Sequence, residues 1–175
     1  MLVIHIISTE DTRLFSNIYQ NLDATILINP SSREARKAII NEIDTILFIG
    51  HGTEYGLLNS RLDGYFIDSE WVNLLREKNI IGIWCYAGNF AERYDLKGFF
   101  TSNFISNINE LIDNGFERFD NVESVIQDEN TLFANKINDF LLTSRPIHEW
   151  VDELQHSASD IPFVQYNYEA LLCNI

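Results

Sequence analysis

Cysteines and basic residues are scarce in this chain of 175 residues, and long apolar runs are missing. Two cysteines, Cys85 and Cys173, do not make a disulfide framework, so a packed core has to hold the fold and a reducing compartment is expected. Twelve Lys and Arg stand against 26 Asp and Glu, a formal net charge of −14, with no basic run anywhere. That balance argues against nucleic acid as a partner, because phosphate binding needs clustered cations. An acidic field keeps the chain soluble and favours cationic over anionic ligands. No stretch approaches the ~18 apolar residues of a membrane span, so no membrane association is expected. The apolar start from Met1 to Ile7 has neither a basic region before it nor a small-residue cleavage site, which speaks against a secretory leader and for the cytoplasm. Repeats, low-complexity tracts and linkers are also missing, and nothing in the sequence fixes an oligomeric state.

What is present is a globular composition, 46% hydrophobic and 13% aromatic, at a length suited to one domain. The runs Leu2 to Ile7, Thr45 to Ile49 and Ile80 to Cys85 are apolar without alternation, as strands buried on both faces of a parallel sheet are. A fourth run, Ala24 to Ile28, stops at Asn29-Pro30. Helical spacing marks Thr12 to Leu22, Ser32 to Ile43 behind the capping serines Ser31 and Ser32, and Asp68 to Lys78 with Asp68 as N-cap. Gly56 to Ile67 reads as a small hairpin. Further on, Gly98 to Ile105 reads as a strand, Asn107 to Asp113, Asn130 to Leu142 and Pro146 to Gln155 as helices, and Phe163 to Tyr168 as a last strand. Gly115 to Asp128 carries no clear pattern. Strands alternating with helices predict an α/β fold of three layers, α/β/α, around a mainly parallel sheet.

Two residues gain interest from their positions. His51 follows the run Leu47-Phe48-Ile49-Gly50, and Cys85 ends the run Ile81-Gly82-Ile83-Trp84. Ligand crevices in open parallel sheets lie at the carboxyl ends of the strands. The 34-position spacing from His51 to Cys85 holds one crossover, so an imidazole and a thiol are expected at the same end of neighbouring strands. An imidazole that takes a thiol proton leaves a thiolate able to attack a carbonyl carbon. The N–H groups of Gly52 and Cys85 are placed to face a developing oxyanion. An imidazole neighbour also predicts that Cys85 alkylates faster than Cys173. His148 and His156, beside Glu149, Asp152 and Glu153, match no metal-ligand spacing and read as a solvated helix, while His5 reads as structural. No metal or cofactor is expected.

The string Phe48-Ile49-Gly50-His51-Gly52 resembles the histidine motif of caspase-like cysteine peptidases, a group that includes metacaspases, clostripain-like and gingipain-like peptidases, separase and CHAT domains. Ile83-Trp84-Cys85-Tyr86-Ala87-Gly88 resembles their cysteine motif, in the same order along the chain. The resemblance covers the motif-bearing core 1–105 and implies one caspase-like domain over 1–175, with 106–175 supplying a helical and strand C-terminal part. By it, His51 is the base, Cys85 the nucleophile and Gly52 an oxyanion donor. Trp84 departs from the pattern, because a small or acidic residue is commoner there, and a ring at that point is expected in the wall of the S1 pocket. Glu10, Asp11 and Glu54 leave the same end of the sheet, so they are expected to line that pocket and to pair with a basic P1 residue of a peptide or protein substrate. A scaffold that binds or signals without turnover is the alternative.

Overall fold

A computed structural model describes all residues, 1–175. Strands β1 (Leu2–His5), β2 (Thr25–Ile28), β3 (Thr45–Ile49), β7 (Asn79–Ile83), β8 (Lys97–Phe100) and β9 (Leu172–Asn174) form one sheet in the order β2-β1-β3-β7-β8-β9. All pairs are parallel except β8 with β9. A second, three-stranded antiparallel sheet joins β4 (Gly52–Thr53), β5 (Gly56–Leu58) and β6 (Tyr65–Ile67), so the predicted hairpin gains a strand that starts directly after His51.

Helices cover both faces. On one lie α2 (Ser32–Asn41), α3 (Val72–Leu75) and α4 (Ala87–Tyr94), whose buried Ala35, Ile39, Leu75, Phe90 and Ala91 pack on Ile4, Ile46, Phe48 and Ile80. On the other lie α1 (Glu10–Leu14), α5 (Ile108–Asp113), α6 (Val122–Leu142), α7 (Trp150–Ser157) and α8 (Pro162–Glu169), which bury Phe133, Ile137, Trp150 and Phe163 against Val3, Leu47, Ile81 and Phe99. Alternating strand residues feed the two cores, which is why the strands lack a polar face. The start of α2 is fixed as expected: Ser31 accepts from the Glu34 N–H, and the Glu34 carboxylate accepts from Ser31 in return.

Three sequence-based assignments are corrected. The helix expected over Thr12–Leu22 is a short α1 followed by a 3₁₀ turn, Phe15–Tyr19, whose Phe15 and Ile18 still enter the core. Phe163–Tyr168 is not a strand but the body of α8: Pro162 sits in its first turn, and Phe163, Val164, Asn167 and Tyr168 share a buried face at helical spacing. The chain's last strand is instead Leu172–Asn174, which turns back antiparallel along β8. Of the unpatterned stretch Gly115 to Asp128, the part from Val122 belongs to α6, which runs 21 residues to Leu142, and 115–121 stays outside any helix or strand.

Candidate active site

Sheet register brings His51 and Cys85 together. Ile49 pairs with Ile83, and the Gly50 N–H continues the ladder by donating to the Ile83 carbonyl at 3.1 Å. His51 and Cys85 are each two residues beyond that last pair. They also share a sheet face. Cys85 packs against the core beneath α6, and His51 meets Asp11 of α1 and Glu110 of α5 on that same side. Both line one small cavity, about 20 Å³, with Thr12, Phe15, Phe104 and Ser106, which is room for about one water.

The turn that carries Cys85 is sharply built. β7 ends at Ile83, Tyr86 adopts the left-handed conformation at φ +66°, and α4 starts at Ala87. A non-glycine residue there costs on the order of 1 kcal/mol and persists only when its surroundings hold it. Buried Thr101 does much of the holding. Its hydroxyl accepts from the Trp84 N–H at 3.1 Å and donates to the Trp84 carbonyl at 2.8 Å, while its carbonyl accepts from the Gly88 N–H. The Cys85 N–H makes no hydrogen bond. In the short hairpin after His51, the Leu58 N–H donates to the His51 carbonyl at 2.9 Å, so Gly52 and Leu57 fall at a non-hydrogen-bonded pair of the ladder. The two N–H groups expected to face an oxyanion are thus not consumed by the sheet.

Trp84 borders the small cavity that His51 and Cys85 line, but its ring does not face the sulfur. Its ring is buried on the opposite face from the sulfur, edge-on to Phe48 and Phe90, with its indole N–H 3.4 Å from the Thr53 carbonyl. Strand alternation requires this, since Trp84 and Cys85 are consecutive. Gly52 lies flat against that ring: a Cβ on Gly52 would come within 2.0 Å of the Trp84 Cδ1.

Asp11 borders a cavity, as expected of a pocket residue, and is also a partner of His51, with its Oδ2 3.5 Å from Nε2. Ser106 Oγ at 3.1 Å and Asn107 Nδ2 at 3.0 Å donate to that same oxygen. Thr9 Oγ1 lies 2.8 Å from His51 Nε2, and Glu110 Oε1 lies 3.9 Å from Nδ1. Glu110 in turn accepts from the Ser106 N–H at 2.7 Å, and its Oε2 lies 2.9 Å from the same Ser106 hydroxyl, whose one proton the two carboxylates share. Glu10 stays on the rim, where with Asp11 and Glu123 it borders a cavity of about 570 Å³. Glu54 lies in the β4–β5 turn, close enough for its charge to act on Tyr86.

Charges in this cluster follow from burial and pairing. Burial pushes Asp11 up, but hydrogen bonds from His51, Thr9 and Asn107 outweigh it and hold the carboxyl well below the usual range. The bond from Asp11 raises His51 against desolvation, and the charges of Asp11 and Glu110 add to the rise. Desolvation raises Glu110. Burial pushes the Cys85 thiol up to about 12, with the Glu110 and Asp11 carboxylates adding to the shift. The thiol donates to the Phe104 carbonyl at 3.3 Å. Expected activation of Cys85 by its neighbour is therefore reversed in this closed arrangement: the site holds the thiol and favours the imidazolium. His5, buried beneath the site, is pushed down to about 4 by desolvation and bonds Thr12 and Tyr19, as a structural histidine does.

Phe104 belongs to a cover over the sulfur, residues 103–107, which has no regular structure yet is mostly buried. Two buried asparagines fix it. Asn167 accepts from the Ile105 N–H at 2.7 Å and donates to the Ile105 carbonyl at 3.0 Å; Asn130 donates to the Ser106 carbonyl at 2.8 Å. None of Thr9, Thr101, Phe104, Ser106, Glu110, Asn130 or Asn167 stands out in the sequence. Only Asn107, which opens the predicted helix, carries a local signal, and it does cap α5 through the Asn109 and Glu110 N–H groups. With the thiol so enclosed, iodoacetamide at pH 8 is expected to modify Cys173 before Cys85. The Cys85 rate should then climb about tenfold per pH unit as its thiolate fraction grows. Peptide mapping by mass spectrometry reads both rates, and faster labelling of Cys85 at pH 8 would show the cover open in solution.

No protein-family model, curated protein or solved structure matches this chain.

Proposed function

We propose that the chain is a caspase-like cysteine peptidase, or a related acyl-transfer hydrolase, in which Cys85 is the nucleophile and His51 its base. One observation carries the reading: an imidazole and a thiol line a single cavity on one sheet face, at the carboxyl ends of adjacent parallel strands. In the reaction, neutral His51 accepts the thiol proton and the sulfur bonds to the substrate carbonyl carbon. The N–H groups of Gly52 and Cys85 receive the oxyanion charge. The C–N bond then breaks, the proton passes from His51 to the leaving amine, and water hydrolyses the thioester. Asp11 fixes the imidazole and acts through it. The cover over the sulfur has to move before a substrate enters.

Glu10, Asp11 and Glu123, with no Lys or Arg among the residues lining the large neighbouring cavity, support a preference for Arg or Lys at P1; Glu54 lies apart from that cavity, in the β4–β5 turn. A fluorogenic peptide library varied at P1 tests this on wild type and on Cys85→Ala. Cleavage after basic residues, lost in the variant, is the expected result. Cysteine-dependent cleavage after other residues would overturn the basic preference alone. A second reading, a binding scaffold of the same fold without turnover, draws on the Cys85–Phe104 bond and the raised thiol. No Cys85-dependent cleavage under reducing conditions would decide for it.

A further inference from the structure

We propose that Asp11, His51 and Glu110 form a binding site for a divalent transition-metal ion such as Zn²⁺, and that an ion held there blocks His51. The blocking half of the proposal rests on the dyad reading above; the binding half does not.

One carboxylate oxygen of Asp11, one ring nitrogen of His51 and one carboxylate oxygen of Glu110 all lie within 4.8 Å of one another. Tetrahedral zinc with bonds of about 2.1 Å sets its ligand atoms about 3.4 Å apart, so small side-chain rotations close the set. The three donors come from separate parts of the fold: the first turn of α1, the loop after β3 and the first turn of α5. Sheet and helix packing bring them together, so the ion finds the site assembled.

The outer contacts are those of a ligand set. Asn107 donates to one oxygen of Asp11, the Ser106 N–H donates to Glu110 Oε2, and the single Ser106 hydroxyl proton lies within reach of both carboxylates. Glu110 Oε1 makes no hydrogen bond within the protein and lies 3.9 Å from the imidazole. Such second contacts orient carboxylates for a metal. The charge balance points the same way. Two largely enclosed carboxylates share one imidazole, and neither forms an ion pair with Lys or Arg. Even with His51 protonated the cluster is negative, and a divalent cation neutralises it.

One nitrogen and two oxygens suit zinc, cobalt or manganese better than the all-oxygen shells of calcium or magnesium. Three protein ligands leave a coordination position open to water. Cys85 is outside the set. A nitrogen bound to the ion no longer accepts the thiol proton, so bound metal is expected to inhibit any Cys85-dependent reaction and a chelator to restore it.

The test is equilibrium dialysis with Zn²⁺ and with Co²⁺ on the full chain, on Asp11→Asn, Glu110→Gln and Cys85→Ser, each checked for folding by circular dichroism. One saturable ion is expected in wild type and in Cys85→Ser. Glu110→Gln and Asp11→Asn should each bind at least ~10-fold more weakly. The Co²⁺ spectrum should lack a sulfur-to-metal band, which identifies the donors even if a variant fails to fold. No saturable binding, or binding lost in Cys85→Ser with a sulfur band in wild type, overturns the site. Binding without effect on Cys85-dependent cleavage overturns the inhibition and leaves the site standing. An absence of any cleavage bears on the peptidase reading alone.

Discussion

Replacing His51 with Ala is expected, on the proposed dyad mechanism, to lower kcat/KM about 10⁴-fold, to the same residual as Cys85→Ala and the double variant, because in that mechanism the two groups act as one unit. At 1.36 kcal/mol per decade that is about 5.5 kcal/mol of lost transition-state stabilisation. The pH profile carries a more specific signature. Only neutral His51 can take the thiol proton, and Asp11 favours the imidazolium, so His51 gives up its proton above its ordinary 6.5. Activity should therefore rise with pH along an acid limb displaced upward from that value. In Asp11→Asn the hydrogen bond and the charge are both lost, so the limb should move to lower pH while kcat falls. Steady-state kinetics decides it: kcat/KM for wild type, both single variants and the double variant, and pH profiles from 5 to 9 for wild type and Asp11→Asn. A limb that ignores Asp11→Asn would remove Asp11 from any role in orienting or charging the imidazole, and additive losses in the double variant would mean the pair does not act together.

Asn167→Ala should produce the largest loss of stability of any single polar change near the site. Its side chain satisfies both backbone groups of Ile105, which is itself fully buried. Truncation leaves an N–H and a carbonyl without partners in a dry setting, at a cost of about 1–3 kcal/mol each. For a domain of this size the melting temperature should fall by roughly 5–15 °C. A second effect follows from what the asparagine holds. The Phe104 carbonyl that accepts the Cys85 thiol is on the adjacent residue, so loosening Ile105 should expose the sulfur. Alkylation of Cys85, measured well below the melting temperature, should accelerate relative to wild type, while Cys173 keeps its rate. An unchanged melting temperature would show that water or a shifted side chain satisfies Ile105. Lower stability with unchanged Cys85 labelling would show that the cover does not gate the thiol.

How much of this was legible beforehand depends on the range of the interaction. Local chemistry wrote β3, the Ser31–Glu34 cap of α2 and the Asn107 start of α5 directly into the residues, because strand burial and capping are decided within a few positions. The placement of His51 and Cys85 at the ends of consecutive apolar runs was equally readable, since a right-handed crossover leaves neighbouring parallel strands pointing the same way. Helix against strand at Phe163–Tyr168 was not, because a six-residue run of apolar and polar residues fits both periods until its packing partner is known. Nor was the face of Trp84, which depends on which of two consecutive residues points toward α6.

The sequence alone thus determined the class of fold and the placement of an imidazole and a thiol at the ends of neighbouring strands, since both follow from patterns within single elements and one short crossover. Tertiary structure alone decided the state of that pair. Asp11 and Glu110, 99 residues apart, meet at His51 only because α1 and α5 pack on the same sheet face. Asn130 and Asn167, from α6 and α8, close the cover only because those helices pack above it. Burial and nearby carboxylates, not the identity of the neighbouring histidine, then fix where the protons reside.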